Sequence, residues 1–137
     1  MAPTLSSPTT VLMIDDNSED LESWSKLLEE TSSQYSILKA LTVRAGLDLC
    51  QYQKVHCVVL DLDMDDSSGF EVLLNLIPDR KRPGMAVVVL TRLKHPSLHE
   101  TVLYHGAQAC LVKQKILARD LHEAIQKAVV SILPNTP

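Results

Sequence analysis

The sequence predicts an α/β fold in which a parallel sheet is covered by helices on both faces. Five short apolar runs, rich in β-branched residues, alternate with segments whose apolar residues recur at helical spacing. With 137 residues, of which 45% are apolar and 22% charged, the chain has the composition of one soluble globular domain with a single core. Strand–helix–strand units of this kind predict right-handed crossovers.

The predicted strands are short apolar runs that end at a polar residue or at a turn. They comprise residues 10–14, 35–41, 55–60, 86–90 and 109–112. The run that ends at Asp61 is apolar and β-branched, so it predicts a buried strand that carries one carboxylate to the rim of the sheet.

The segments between the strands carry start signals typical of helices. Asn17 or the residue after it can cap a helix that runs to about residue 30, and Thr42 can cap the second. Gly69 opens a third, and Pro96 suits the first turn of a fourth, which ends near residue 105. The predicted inner residues are Leu21, Trp24, Leu27 and Leu28 in the first helix, Val43, Leu47 and Leu49 in the second, Phe70, Leu73, Leu74 and Ile77 in the third, and Leu117, Leu121, Ile125, Val129 and Ile132 in the last.

Polar residues stand at the ends of four predicted strands. These are Asp15 and Asp16 after the first strand, Asp61 after the third, Thr91 after the fourth and Lys113 after the fifth. The carboxyl ends of parallel strands share one crevice, where ligands bind. The sequence therefore brings an acidic pair, a lone carboxylate, a hydroxyl and an amine together at one edge of the sheet.

The crowded carboxylates at this edge predict a bound cation. Like charges a few ångströms apart repel by about 1 kcal/mol or more, even when water screens them. Hard oxygen ligands favour Mg²⁺, which takes one or two carboxylates together with waters and phosphate oxygens. Mg²⁺ would also screen Asp61 from an anionic phosphoryl donor and stabilise charge on the transferring group. The sequence thus predicts a Mg²⁺-dependent site that accepts a phosphoryl group.

The same residues resemble the receiver domain of two-component response regulators. The matching motifs are Ile14-Asp15-Asp16, Asp61 followed eight residues on by Gly69, Leu90-Thr91, and Gly106-Ala107 leading to Lys113. The resemblance covers about residues 10–133 and implies a flavodoxin-like, doubly wound sheet of five strands in the order 2-1-3-4-5, with the site between strands 1 and 3. Residues 1–9 are expected to be a flexible lead-in, and residues 134–137 a flexible C-terminal tail or the start of a linker.

The resemblance also implies roles for the site residues. Asp61 would take a phosphoryl group from a histidine kinase or a phosphotransfer protein, as a signalling phosphoacceptor and not as an enzyme with a separate substrate. The implied metal ligands are Asp15 (largely through water), Asp16, Asp61 and the backbone carbonyl of Asp63. Thr91 and Lys113 would contact the phosphoryl oxygens and carry the switch.

Four positions depart from the usual pattern of that family. Cys110 stands three residues before the lysine, where receivers usually place a Tyr or Phe that rotates on phosphorylation. Gln114 and Asp65 replace two prolines, and Arg92 replaces the small residue that follows the threonine. The chemistry of the site is therefore expected to be intact and the output relay to be altered.

Signal output is expected at the last two helices and the last strand, through a partner protein or a fused domain. The candidate contact residues, chosen by position, are Val102, Tyr104, Ile116 and Lys127. A net charge of −4 and the absence of aromatics beside the basic cluster at residues 80–82 argue against direct nucleic-acid binding. Three cysteines without metal-ligand spacing fit a reducing cytoplasm. No stretch approaches the roughly 20 apolar residues of a membrane span.

Two other interpretations stay open at this point. A vestigial receiver would act as a phosphorylation-independent interaction module, which the missing aromatic favours. The segment from Val58 to Asp63 also resembles the nucleophile motif of haloacid-dehalogenase-type phosphatases, with Asp61 as nucleophile, Asp63 as general acid, and Thr91 and Lys113 in further motifs. Those enzymes need an acidic pair after the lysine, whereas here the pair precedes Asp61, so this interpretation is the weaker one.

Overall fold

The computed structural model describes residues 9–63, 73, 75 and 84–132, and this part of the chain contains five strands and four helices. The strands are β1 (Thr9–Ile14), β2 (Tyr35–Ala40), β3 (Cys57–Asp61), β4 (Ala86–Thr91) and β5 (Ala109–Val112). The helices are α1 (Ser18–Thr31), α2 (Val43–Tyr52), α3 (Pro96–Tyr104) and α4 (Ala118–Ile132). Of the predicted helix after Gly69, only Leu73 and Asn75 are described; both are helical, and Leu73 is fully buried among the residues of one core. Residues 1–8 of the predicted lead-in and the predicted tail at residues 134–137 lie outside the described residues. Among the described helices, none is long and apolar enough to cross a membrane.

The strands pair in the order β2-β1-β3-β4-β5, and each pairing is parallel. The predicted flavodoxin-like order is thereby confirmed. The register brings the carboxyl ends of the strands into line. Ile14 pairs with Leu60. Asp61 pairs with Leu90 on β4, and Thr91 pairs with Val112 on β5. The residues that end these strands therefore lie along one edge of the sheet.

Alternate residues of the strands face opposite sides of the sheet and build two cores. The first core includes residues of α2 and α3, and the second includes residues of α1 and α4. The buried residues of β1, β3 and β4 are Leu12, Ile14, Val58, Leu60, Val87 and Val89 in the first core, and Val11, Met13, Cys57, Val59, Ala86, Val88 and Leu90 in the second. Helices thus cover both faces, as the alternation of strands and helices predicts.

Local signals in the sequence fix the ends of the helices. The Asn17 side chain accepts hydrogen bonds from two backbone amides in the first turn of α1, at 2.9 and 3.1 Å. Thr42 accepts one from the first turn of α2 at 3.0 Å. Pro96 is the first residue of α3, and Gly106, with a φ of 112°, follows its end in the left-handed conformation that glycine favours.

The predicted inner stripe of α1 is wrong at one position. At about 100° per residue, Leu27 lies about 120° around the helix from Leu21, and it is 39% exposed. Ser25 faces the core in its place and is buried, and its hydroxyl donates a hydrogen bond to the Glu29 carboxylate at 3.0 Å. A buried hydroxyl with a partner costs little, so the helix tolerates serine there.

At two element ends, a leucine predicted to lie inside the element lies outside it. Leu41 was predicted to end β2, but the pairing of β2 with β1 stops at Ala40, and Leu41 is exposed. Leu117 was predicted to lie on the inner face of the last helix, but it precedes α4 and is exposed. Its backbone N–H donates to the Asp120 carboxylate at 2.7 Å, in the manner of a capping box, so the helix begins at the next residue.

The packing of α4 leads to a testable prediction. Ile125 is fully buried in the second core, and Ile125→Ala should lower the free energy of unfolding by about 2–5 kcal/mol because it leaves a cavity. Val130 lies on the same helix and is 65% exposed, so Val130→Ala should change that free energy by no more than about 0.5 kcal/mol. Urea denaturation measures both values, and equal losses in the two variants would contradict the placement of this helix.

Candidate functional site

The turn after β1 is held by side-chain hydrogen bonds, and it carries the first two carboxylates. Asp15 Oδ1 accepts a hydrogen bond from the backbone N–H of Asn17 at 2.9 Å, while the Asn17 side chain caps α1. The backbone N–H of Asp15 donates to the carbonyl of Ala40 at 3.1 Å, which continues the pairing with β2. As a result Asp15 is buried and fixed, whereas Asp16 is exposed at the mouth of the site.

Asp61 is the last residue of β3, and its side chain is only 5% exposed. Its Oδ1 atom accepts a hydrogen bond from the backbone N–H of Asp63 at 3.0 Å. The backbone N–H of Leu62 donates to the carbonyl of Leu90 at 2.9 Å, so the chain stays attached to β4 just beyond the strand. One oxygen of Asp61 is thus tied to its own loop, and the other, Oδ2, lies 3.3 Å from the Lys113 ammonium.

Lys113 supplies the central cation of the site. Its backbone N–H donates to the carbonyl of Thr91 at 2.9 Å, which extends the pairing of β4 with β5. Its Nζ atom lies 3.1 Å from Asp15 Oδ2, 3.2 Å from Asp20 Oδ2 and 3.3 Å from Asp61 Oδ2. The side chain is only 11% exposed, so these ion pairs are poorly screened by water.

Thr91 lies at the end of β4 and is fully buried, and its hydroxyl is hydrogen-bonded to Asp63. It donates to Asp63 Oδ1 at 3.0 Å and accepts from the backbone N–H of Leu93 at 3.2 Å. The other oxygen of Asp63 accepts from the backbone N–H of Arg92 at 2.8 Å. The structure therefore brings Asp15, Asp16, Asp61 and Lys113 together directly and places Thr91 next to them through Asp63.

A cavity of about 280 Å³ opens at this edge of the sheet. Its lining residues are Asp15, Asp16, Asn17, Asp20, Trp24, Asp61, Arg92, Lys113 and Gln114. Four aspartates face two cations across this cavity, so it carries an excess of negative charge. A cavity of this size and charge can admit a metal ion together with a phosphoryl group.

Three of the lining carboxylates fit a divalent cation. One oxygen from each of Asp15, Asp16 and Asp61 can be chosen so that all three lie within 4.8 Å of one another. In an octahedral Mg²⁺ site, neighbouring ligands lie about 3 Å apart and opposite ligands about 4 Å apart. The spacing is slightly wider than direct ligation by all three carboxylates requires, and a bridging water at one of them would close the difference.

The crowding of charge changes the pKa of two groups. The pKa of Asp61 is raised to about 6, chiefly by burial and also by the negative charge of Asp15, although the hydrogen bond from Asp63 and the Lys113 charge both act to lower it. Burial lowers the pKa of Lys113, but the neighbouring Asp61 and Asp15 outweigh it, and the net pKa is raised. Lys113 is therefore firmly charged, while Asp61 titrates closer to neutrality than an ordinary aspartate.

Sequence reasoning missed three features of the site. Asp20 pairs with Lys113, and Trp24 lines the cavity from the next turn of α1. The four-residue spacing of Asp20 and Trp24 is the signal that could have found them, because residues four apart share one face of a helix, and α1 begins just after Asp16. The third feature is the hydrogen bond from Thr91 to the Asp63 carboxylate. The receiver resemblance implied only the backbone carbonyl of Asp63 as a metal ligand, and no local pattern indicates that its carboxylate binds Thr91.

One prediction for the output side needs correction. Val102, predicted to contact a partner, is fully buried in the first core, so it is not available at the surface. Cys110 is only partly buried in β5, an edge strand with one neighbour. Burial and the nearby Asp63 charge raise the pKa of its thiol to about 11, so it stays protonated at neutral pH.

Comparison with curated proteins finds relatives among bacterial regulators. The chain is 29% identical over 130 residues to the transcriptional regulatory protein GlrR of Escherichia coli strain K12, which covers 94% of the chain and 28% of GlrR. It is 26% identical over 129 residues to the chemotaxis protein CheV2 of Helicobacter pylori, covering 91% of the chain and 40% of CheV2. The chain thus spans less than half the length of these relatives.

Solved structures with a similar fold include receiver domains of response regulators. A CheY-like response regulator receiver domain from Methanospirillum hungatei superposes with a TM-score of 0.79 and 26% identity, covering 92% of this chain and 97% of that one. A receiver domain from Clostridium thermocellum gives a TM-score of 0.79 and 28% identity, covering 90% and 95%. The family model of the response regulator receiver domain matches residues 11–126. With the acidic cavity at the predicted edge of a 2-1-3-4-5 sheet, the chain belongs to the response regulator receiver domains of two-component systems.

Proposed function

We propose that Asp61 is the phosphoacceptor of this receiver domain and that it takes its phosphoryl group from a histidine kinase or a phosphotransfer protein. The observation that carries the proposal is the position of this carboxylate. It lies at the end of β3, shares a cavity with two further carboxylates able to hold a metal, and has one oxygen 3.3 Å from the Lys113 ammonium. Family membership supports the same assignment.

In the proposed reaction, a carboxylate oxygen of Asp61 attacks the phosphorus of a phosphohistidine. An O–P bond forms and the P–N bond breaks, and the imidazole leaves with the bonding electrons and takes up a proton from water. The attacking group must be ionised, so its protonation state matters near the pKa of about 6. The Lys113 ammonium lies 3.3 Å from Asp61, so it can form an ion pair with the oxygens of the new phosphoryl group.

We infer that the acidic cluster binds Mg²⁺. The donors are all hard oxygens, and their excess negative charge is only partly balanced by Lys113. Asp16 and Asp61 would ligate the ion directly, Asp15 largely through water, and Asp63 through its backbone carbonyl. When bound, Mg²⁺ supplies charge neutralisation between the carboxylates and the incoming phosphoryl group.

Output is proposed to pass through α3, β5 and α4 to a partner protein or a fused domain. Tyr104 and Lys127 are exposed and Ile116 is partly exposed, so these three candidates can contact a partner. GlrR and CheV2, of which the chain covers 28% and 40%, are a transcriptional regulator and a chemotaxis protein. A further domain on the native protein, and a cytoplasmic location beside its kinase, are therefore parts of the proposal.

A second candidate function is a phosphorylation-independent interaction module, and Cys110 is the observation that favours it. A thiol is too small to swing between a buried and an exposed position as an aromatic ring does. The phosphatase interpretation has less support, because the Asp63 carboxylate that would act as general acid accepts hydrogen bonds from Thr91 and from the backbone of Arg92.

Incubation with acetyl phosphate and Mg²⁺ tests the assignment of Asp61. The wild-type protein should gain one phosphoryl group, and Asp61→Asn should gain none, because an amide is not a nucleophile at neutral pH. Asp48→Asn, a surface aspartate paired with Arg44, is the matched control and should label like the wild type. Mass spectrometry of the intact chain measures the adduct. Repeated turnover of acetyl phosphate would indicate a phosphatase, and no labelling of wild-type protein would indicate a vestigial receiver.

Thermal unfolding tests the metal site. At ten times its dissociation constant, Mg²⁺ should stabilise the wild-type protein by about 1.4 kcal/mol, which raises the Tm by about 3–5 °C. Asp16→Asn removes one ligand from the exposed mouth of the cluster and should need at least about tenfold more Mg²⁺ for the same shift. Asp48→Asn again serves as control. A Tm of the wild type that does not respond to Mg²⁺ would rule out the proposed site.

The raised pKa of Asp61 predicts how stability depends on pH when no divalent cation is present. An unfolded aspartate has a pKa of about 3.9, so the folded protein holds this proton more tightly. The resulting stabilisation is complete below about pH 4 and is lost as the pH rises through about 6. Asp61→Asn, which stays neutral, should therefore be more stable than wild type by roughly 1 kcal/mol at pH 7.5, after allowance for solvent screening, with no gain at pH 4. Urea denaturation in EDTA gives both values, and an equal gain at both pH values would contradict the prediction.

A further inference from the structure

We infer that Asp63 is a positioning residue that holds the Thr91 hydroxyl in the unphosphorylated protein, and that a phosphoryl group on Asp61 must displace it to reach that hydroxyl. The inference rests on the proposed function, since it takes Thr91 as a ligand of the phosphoryl oxygens. It concerns the carboxylate of Asp63, whereas the proposed metal site uses only the backbone carbonyl of this residue.

The hydrogen-bonding capacity of Thr91 is limited. A hydroxyl has one proton to donate, and Thr91 donates it to Asp63 Oδ1 at 3.0 Å. A hydrogen bond to a carboxylate is roughly twice as strong as one between neutral groups. Because Thr91 is fully buried, water cannot readily take the place of either partner. The hydroxyl therefore has to leave Asp63 before it can donate to a phosphoryl oxygen.

Asp63 is held in place independently of Thr91. Its Oδ2 atom accepts from the backbone N–H of Arg92 at 2.8 Å and lies 3.7 Å from Arg92 Nε. Its own backbone N–H donates to Asp61 Oδ1 at 3.0 Å. The acceptor thus stays in position when the hydroxyl leaves, and it is tied directly to the proposed phosphoacceptor.

A phosphoryl group on Asp61 and the carboxylate of Asp63 would compete for donors. Asp63 accepts hydrogen bonds from two donors at the end of β4, the Thr91 hydroxyl and the Arg92 amide. A phosphoryl group on Asp61 would compete with this carboxylate for the Thr91 proton. The exchange gains only the difference in free energy between the hydrogen bond that forms to the phosphoryl group and the one that is lost to Asp63. The carboxylate of Asp63 therefore opposes the phosphoryl-bound state, and its removal should favour that state.

The chain contains a probe for this competition. Trp24 is its one tryptophan and lines the cavity of the site, so its fluorescence can report occupancy. Beryllofluoride, an unreactive mimic of a phosphoryl group, is titrated against the full chain in saturating Mg²⁺. Asp63→Ala should bind it about tenfold more tightly than wild type, because one charge-assisted hydrogen bond no longer has to be broken. Asp48→Ala, on the surface of α2, is the control variant and should bind it like wild type.

A double-mutant cycle separates this role from simple repulsion between Asp63 and the anion. In a Thr91→Val background, which keeps the side-chain shape and removes the hydroxyl, Asp63→Ala should change the affinity by less than about twofold. Asp63→Asn keeps an acceptor for Thr91 and loses the charge, so in the Thr91 background it should gain clearly less than Asp63→Ala. If the alanine variant does not fold, Asp63→Asn can still be compared with wild type in both backgrounds.

The outcomes distinguish this inference from the proposed function. An equal gain from Asp63→Ala in both backgrounds, or an equal gain from Asn and Ala, would mean that only charge repulsion acts and would overturn the role of Asp63. Tight binding by the wild-type protein would in that case still support Asp61 as phosphoacceptor. If folded wild-type protein does not bind beryllofluoride at all, both the proposed function and the role of Asp63 are overturned.

Discussion

The site depends on the ion pairs that the Lys113 ammonium forms with the carboxylates around it. The ammonium lies within 3.3 Å of three carboxylates, those of Asp15, Asp20 and Asp61, and two of these are almost inaccessible to solvent. Buried carboxylates without a cation would be costly, since the attraction of a partner has to offset their lost hydration. One lysine cannot neutralise three of them, and Asp16 adds a fourth negative charge nearby. This excess of negative charge makes the edge of the sheet suitable for a second cation.

The parallel sheet is what makes this concentration of charge possible. Asp15, Asp61, Thr91 and Lys113 stand at the carboxyl ends of four different strands, and the register of the pairings brings those ends to one edge. The central strands β1, β3 and β4 are largely apolar and buried, so the polar residues gather where hydrogen bonding to the sheet ends. The backbone amides of Leu62 and Lys113 continue the pairing for one residue past the strands and fix the direction in which these side chains leave. The precision of the site therefore derives from backbone hydrogen bonds of the sheet, to which side-chain caps such as that of Asn17 are added.

Much of the fold was predictable because its signals are local. Apolar runs of strand length, a capping residue at the start of a helix and a glycine after its end each act within a few residues of the chain. The grouping of Asp15, Asp61 and Lys113 also followed, since a single topological rule brings strand ends together. The partnership of Asp20 with Lys113 and that of Asp63 with Thr91 did not follow, because they depend on the direction of a side chain in three dimensions. The partial exposure of Cys110 has the same origin, since only the strand order shows that β5 has one neighbour.

The contacts of Lys113 affect when the site is assembled during synthesis and folding. The residues that it joins are far apart along the chain, with Asp15 and Asp20 separated from it by 98 and 93 positions. Contacts of such long range are slow to form, because the loop-closure entropy is lost before the contacts can compensate for it. During synthesis the acidic residues emerge first, and their counter-ion arrives only with the last strand. A partly made chain therefore presents the carboxylates without the ammonium, and the cluster is complete only in the finished domain.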